Sequence, residues 1–175
     1  MYSGKTTELI RRLEREKFAG RSVLAFKPAV DHRYDLEAIT THGGWQISCW
    51  AVKDLYDVQR IAQVEMTDVI GIDEVSLFAP TSSDVIDDIV AGRHLTIMAG
   101  LDMTYRQEPF GMMPYLMAVA DDVTKLKAVC HVCGEDAKYT QRLVEGKPAS
   151  FDGPTIEIGG IESYEARCAE CFQTG

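Results

Sequence analysis

Hydrophobic residues at helical spacing and short apolar runs alternate along the first half of the chain. Leu9, Ile10 and Leu13 recur at helical spacing among charged residues, and this pattern predicts a helix over residues 6–19. The run VLAFKP, residues 23–28, is apolar and ends at a proline, which predicts a short buried strand. The chain therefore begins with a helix followed by a strand.

The alternation continues over the next sixty residues. Residues 31–44 are polar and show no period, so we predict a mobile loop. Asp54 is placed to cap a second helix, which leads into DVIGIDE, a strand over residues 69–72 that ends in two acids. A further helix is predicted over 83–91, and LTIMAGLD, residues 95–102, predicts a third strand.

Alternating strands and helices are typical of an α/β fold, with a parallel sheet between layers of helices. Ligands of such sheets gather at the carboxyl ends of the strands. After residue 126 the character changes to cysteines, glycines and short strand-like pieces such as TIEIGG, residues 155–160. We therefore expect a main domain over 1–126 and a small appended module over 127–175, in which bound zinc replaces a large core.

Composition limits the classes of partner. The 175 residues carry a formal net charge of −9, which repels nucleic-acid polymers and anionic membranes. No apolar run approaches the roughly 20 residues that span a bilayer, and no export signal opens the chain. We expect a cytoplasmic protein that binds neither nucleic acid nor membrane.

Four of the five cysteines form two pairs, Cys130-x2-Cys133 and Cys168-x2-Cys171. Thiolates at this spacing predict a tetrahedral structural zinc site. Reduced structural thiols are the alternative, and a redox pair fits less well because no strand-to-helix pattern surrounds either pair. His131, inside the first turn, is expected to point outward.

The string SGKT, at Gly4, Lys5 and Thr6, supplies the second half of a phosphate-binding loop. Its glycine lets backbone amides approach phosphate, its lysine reaches terminal phosphates, and its threonine hydroxyl can bind magnesium. The helix that follows directs its positive end at the loop. The alternative is a lysine at a solvated helix start.

Asp73 and Glu74 end the strand VIGI. A phosphate-binding loop needs an acid at a strand tip for the metal, and Asp73 supplies it. A second carboxylate suits a base that helps to deprotonate an attacking hydroxyl, so Glu74 is the candidate. A solvated strand end is the alternative for Glu74.

Several stretches together resemble the type II thymidine kinases, the cellular class with a zinc-bearing lasso. They follow the order of that family from the first residue almost to the last. The stretches are MYSGKTTELIRR, FKPAVDHRY, GIDEVSLF, GLDMTYRQEPFG, ADDVTKLKAVCHVCG, YTQRL and IGGIESYEARCAECF.

The resemblance implies transfer of the ATP γ-phosphate to the 5′-hydroxyl of thymidine or deoxyuridine, with Glu74 as general base. It implies that magnesium is held by Thr6 and Asp73, and that phosphate is held by Ser3, Gly4, Lys5, Thr6, Thr7 and Arg106. It assigns the nucleoside pocket to Met1, Leu77, Leu101, Tyr105, Phe110, Thr140, Ile156, Ile158, Gly159 and Tyr164. Plain core packing is the alternative for Leu77, Leu101, Tyr105 and Phe110, and an ordinary surface position is the alternative for Arg106.

The resemblance also implies a lasso over about residues 143–164, whose backbone pairs with the pyrimidine and whose two ends the zinc site anchors. It implies a homotetramer and feedback inhibition by thymidine triphosphate. In the family a strand and a first glycine precede the loop, so we expect that the start of this chain is internal and that this strand is missing.

Three residues depart from the family pattern. Ser76 and Leu77 stand where Gln-Phe is common, and Tyr105 stands where phenylalanine is usual, so its hydroxyl needs a partner if buried. Two other functions stay open from the sequence. They are a phosphate-loop ATPase or kinase of another nucleoside, and a catalytically silent nucleotide-binding protein with a zinc ribbon.

Overall fold

The computed structural model describes residues 1–31, 37–41, 43–79, 83–156 and 163–175. Its centre is a sheet of four parallel strands in the order β4-β1-β5-β6. These strands are β1 (Val23–Pro28), β4 (Trp50–Val52), β5 (Val69–Ile72) and β6 (Leu95–Met98). The α/β fold with a parallel sheet, predicted from the alternating pattern, is confirmed.

Helices cover both faces of the sheet because its strands are apolar on both sides. Helix α1 (Lys5–Phe18) packs on the face that carries Ala25 and Val69. The opposite face, with Phe26, Ile70 and Ile72, lies under the remaining helices, which are α2 (Leu55–Glu65), α3 (Ser83–Val90) and α4 (Met113–Val119).

Helix α1 approaches the sheet closely at Gly71. A Cβ atom on this residue would lie 2.4 Å from Cδ1 of Leu13, closer than packed carbon atoms approach. The glycine therefore sets the distance between β5 and α1, and with it the distance between the strand tip and the loop that begins the helix.

The four strands are not equally buried. All four residues of β5 are buried, whereas Leu95 of β6 is exposed and the other β6 residues are half-buried. A groove of about 730 Å³ runs along β6 on the side away from β5, between α1 and residues 119–126. The core therefore rests mainly on β1 and β5.

None of the described helices has the length and apolar character that crossing a bilayer requires.

Two predicted elements need correction. The stretch 31–44, predicted as a loop, contains β2 (Ala38–Thr40), which pairs with β3 (Gln46–Ser48) in an antiparallel hairpin. Residues 32–36 and 42 of that stretch lie outside the described residues. The strand predicted over 95–102 ends at Met98, and helix α4 was not predicted.

The C-terminal module consists of short antiparallel strands. One pair is β7 (Ala128–Val129) with β8 (Asp136–Ala137). The other group has β9 (Tyr139–Val144) between β10 (Lys147–Pro148) and β11 (Tyr164–Arg167). The expected strand-like run 155–160 is not a strand at Thr155 and Ile156, and its other residues lie outside the described part of the chain.

Candidate active site

A cavity of about 140 Å³ opens at the carboxyl ends of β1 and β5. It gathers the loop residues 3–7, the two acids and residues from the C-terminal part of the chain. The predicted site residues that line it are Met1, Ser3, Gly4, Lys5, Thr6, Thr7, Asp73, Glu74, Leu77, Leu101, Tyr105, Phe110, Thr140, Ile156 and Tyr164. Most of the predicted site therefore lies in one place.

The loop residues are held by the start of α1. Gly4 adopts a left-handed conformation with φ 79°, which a residue with a side chain adopts only at a cost. Its carbonyl accepts the first helical hydrogen bond from the backbone N–H of Glu8, at 2.9 Å. The first helical turn, whose N–H groups have no partner within a helix, lines the cavity.

Asp73 connects the strand tip to the loop. The Thr6 hydroxyl donates to Oδ2 of Asp73 at 3.0 Å, and the Glu74 N–H donates to Oδ1 at 3.0 Å. Burial, followed by the neighbouring Glu74 carboxylate, raises the pKa of Asp73 to about 7. A hydroxyl and a buried carboxylate at this distance fit the oxygen ligands that magnesium prefers.

Glu74 has an unusual backbone. Its φ is 48° and its ψ is 39°, a left-handed conformation that costs a residue with a side chain of the order of 1 kcal/mol. The turn begins a short 3-10 helix, Val75–Leu77, and leaves the half-buried side chain of Glu74 on the cavity wall beside Asp73. The strained backbone of Glu74 therefore occurs at a residue whose carboxylate lines the cavity.

Apolar side chains also line the cavity. The lining includes Leu77, Leu101 and Phe110, together with Thr140 of β9 and Tyr164 of β11. The backbone nitrogen of Met1 donates to the Thr140 hydroxyl at 2.9 Å, which ties the loop to the C-terminal module. An apolar slot with a few polar groups is suited to a planar ligand.

Ser76, one of the departures, has a structural role. Its buried hydroxyl accepts the backbone N–H of Leu101 at 3.1 Å and so fixes the segment after β6 against the 3-10 helix. Leu77 still faces the cavity, so the slot keeps an apolar side chain at this position.

One predicted site residue in the described part of the chain is not brought to the cavity. Arg106 does not line it. Its Nη2 donates to the carbonyl of Gly153 instead, and its Nε lies 3.5 Å from the Tyr105 hydroxyl. Ile158 and Gly159 lie outside the described residues.

Sequence reasoning assigned no role to Lys27 and Asp31, which also line the cavity and are buried. Lys27 directly follows Phe26, which pairs with Ile72 in the sheet, so it lies level with Asp73. Its Nζ donates to the carbonyl of Ala38 at 3.1 Å. A charged residue at the end of a buried strand was the signal that could have identified Lys27.

The four paired cysteines form a separate cluster. All four Sγ atoms lie within 4.8 Å of one another, and those of Cys133 and Cys168 are 3.6 Å apart. Tetrahedral zinc with Zn–S bonds of about 2.3 Å places sulfur atoms about 3.8 Å apart, so this donor set fits zinc. His131 is exposed and lies 3.6 Å from Glu165, outside the cluster, as expected.

One thiol of the cluster is prepared for deprotonation. Burial raises the pKa of Cys130, but hydrogen bonds from the backbone N–H groups of Cys168, Cys133 and Val132 outweigh this effect and lower it to about 6. A thiolate is the form that binds a metal.

Comparison with known proteins decides the family. The family model described as "Thymidine kinase" matches residues 1–172, which is nearly the whole chain. The chain belongs to the thymidine kinase family. Among curated relatives, a thymidine kinase from Coprothermobacter proteolyticus is 48% identical over 168 residues, which cover 96% of this chain and 84% of that protein.

Membership of the thymidine kinase family makes the chain an ATP-dependent kinase. The resemblance seen in the sequence motifs is thereby confirmed. The alternative of a catalytically silent zinc-ribbon protein finds no support in this result.

Proposed function

We propose that the protein transfers the γ-phosphate of ATP to the 5′-hydroxyl of thymidine or deoxyuridine, in the salvage of pyrimidine deoxynucleotides. The observation that carries this proposal is the single cavity in which the loop Ser3–Thr7, the acids Asp73 and Glu74 and the apolar slot meet. The phosphate donor, the general base Glu74 and the nucleoside acceptor can therefore occupy adjoining positions, which is what phosphoryl transfer requires.

On the phosphate side, Lys5 and the backbone N–H groups at the start of α1 bind the phosphates of ATP. Thr6 and Asp73, linked at 3.0 Å, hold magnesium, which neutralises phosphate charge when bound. Arg106 joins them only if it leaves the carbonyl of Gly153.

On the acceptor side, Glu74 takes the proton of the 5′-hydroxyl as the oxygen attacks the γ-phosphorus. The bond from that phosphorus to the bridging oxygen of ADP breaks, and ADP leaves with the electron pair. The fixed backbone of Glu74 limits the positions that its carboxylate can take, so the residue is suited to one acceptor geometry.

The apolar slot holds the pyrimidine ring of the nucleoside. Leu77, Leu101 and Phe110 offer contact to a planar ring, and the lasso, about residues 143–164, closes over it with backbone groups that pair with the pyrimidine. A base with the wrong edge leaves such groups unpaired, at a cost of roughly 1–3 kcal/mol each. The closed lasso also excludes water from the phosphate.

The remaining proposals concern organisation. Residues 1–126 form the nucleotide-binding domain and 127–175 the lasso domain, whose four cysteines hold a structural zinc ion. The resemblance supports a homotetramer with thymidine triphosphate as feedback inhibitor, and the 96% exposed side chain of Phe18 offers apolar contact to another subunit. Free thiols at a metal site support a cytoplasmic location.

The test is ATP-dependent phosphorylation of thymidine, compared with deoxycytidine and deoxyguanosine. Glu74→Gln keeps the shape of the side chain and removes the base, so we expect kcat to fall roughly 100- to 10,000-fold. Glu65→Gln, an exposed change at the end of α2, is the matched control and leaves the rate unchanged.

Two results would contradict the proposal. A rate in the Glu74→Gln variant within about twofold of wild type would remove Glu74 as the base. Faster phosphorylation of deoxycytidine or deoxyguanosine than of thymidine would assign the site to another nucleoside.

A further inference from the structure

A turn in the lasso, residues 150–153, docks on Tyr105. The Tyr105 hydroxyl donates to the carbonyl of Ser150 at 3.1 Å, and the carbonyl of Gly153 lies 3.5 Å away. The ring of Phe151 meets the Tyr105 ring edge to face, with centroids 5.8 Å apart and an interplanar angle of 79°. Tyr105 is only 3% exposed, so its hydroxyl proton depends on these carbonyls for an acceptor.

Two guanidinium groups complete this contact. Arg142 is buried, its Nη1 donates to the carbonyl of Pro154 at 2.7 Å, and its guanidinium carbon lies 5.3 Å from the centre of the Tyr105 ring. Arg106 donates to the carbonyl of Gly153 and lies 5.7 Å from the same ring. Both distances are within the range of cation–π attraction.

We propose that the Tyr105 hydroxyl and the Arg142 guanidinium form a latch that positions the lasso for binding the nucleoside. The latch grips residues 150–154, and the next two residues, Thr155 and Ile156, line the cavity. Tyr105 lines the cavity as well, so one side chain forms the wall of the slot and anchors the segment that closes it. This inference rests on the proposed function.

The latch makes Tyr105 and Arg142 positioning residues for the nucleoside and not for ATP. Residues 150–154, when already held in place before binding, cost less ordering when the nucleoside arrives. Its loss raises the KM for thymidine, while the KM for ATP stays the same because the phosphate-binding loop is untouched.

The test compares Tyr105→Phe, which removes the hydroxyl and keeps the ring, with the whole wild-type protein. The matched control is Tyr115→Phe, because the Tyr115 hydroxyl also donates a hydrogen bond, to Asp87 at 2.6 Å, on an exposed surface. Hydrogen exchange of the backbone over 149–156 is measured without substrates, and KM is then measured separately for thymidine and ATP. Phe151→Ala, at a half-buried position on the turn, tests the latch from the other side if Tyr105→Phe does not fold.

The latch predicts exchange over 149–156 that is roughly two- to tenfold faster in Tyr105→Phe, the effect of one lost hydrogen bond. It predicts a similar rise in the KM for thymidine, with the KM for ATP unchanged, and no effect in Tyr115→Phe. Exchange or thymidine KM within the error of wild type would overturn it. A wild-type protein that does not phosphorylate thymidine would overturn the proposed function instead, and the exchange result would still decide whether the latch exists.

Discussion

The buried carboxyl of Asp73 makes the stability of the ligand-free protein depend on pH. Asp73 is 5% exposed, and its pKa is raised from 3.8 to about 7, first by burial and then by Glu74. Between these values the folded protein holds a proton that the unfolded chain releases. The free energy of unfolding therefore falls as pH rises from about 4 to about 7.

The size of the effect follows from the shift. Three pKa units at about 1.4 kcal/mol each give an upper limit of about 4 kcal/mol, and the hydrogen bonds from Thr6 and the Glu74 N–H to the ionised form are already included. Asn at this position cannot ionise and has nearly the same shape. The difference in the free energy of unfolding between wild type and Asp73→Asn should therefore change with pH. Relative to the variant, the wild type should be less stable at pH 8 than at pH 5.

The assay is urea unfolding of both proteins at pH 5, 6, 7 and 8, without magnesium or ATP. We expect the wild type to lose stability relative to Asp73→Asn by roughly 2–3 kcal/mol from pH 5 to pH 8, because the rest of the shift falls below pH 5. A difference that stays constant over this range would refute the raised pKa. The proposed magnesium site uses the ionised form of this carboxylate, so added magnesium should reduce the loss in the wild type alone.

Two other predictions concern stability and the metal. Met66 ends α2 in a left-handed conformation, φ 48°, with an 86% exposed side chain, so Met66→Gly should raise stability by roughly 1 kcal/mol while Met66→Ala does not. Thermal unfolding measures this change, and equal Tm values for the two variants would contradict it. Cys133→Ser should lower zinc content well below one ion per chain and lower Tm, whereas Cys49→Ser, outside the cluster, should keep the zinc, and elemental analysis checks both.

Elements defined by local chemistry could be predicted from the sequence. Helix α2 begins after Asp54, whose side chain accepts the N–H of Asp57 at 3.1 Å, and the predicted cap is confirmed. The strand Val69–Ile72 was predicted with its observed bounds, since a continuous apolar run before two acids leaves little choice.

Other features depend on partners far away in the chain. The strands Ala38–Thr40 and Gln46–Ser48 have three residues each, too few to show a period, and exist because they pair with each other. The contact of Arg106 with Gly153 spans 47 residues, and nothing local to Arg106 indicates it. The position of Lys27 beside Asp73 follows from sheet register, which single-strand patterns do not contain.

The short distance between Cys133 and Cys168 has a consequence for chain entropy. A metal ion that bridges these residues, 35 positions apart, turns the intervening segment from a tail into a closed ring. By the loop-closure relation used for cross-links, a ring of this length lowers the entropy of the unfolded chain by an amount worth about 4 kcal/mol. The bound metal then keeps the two ends of the ring together, so any movement of the chain between them is a bending within a ring that stays closed.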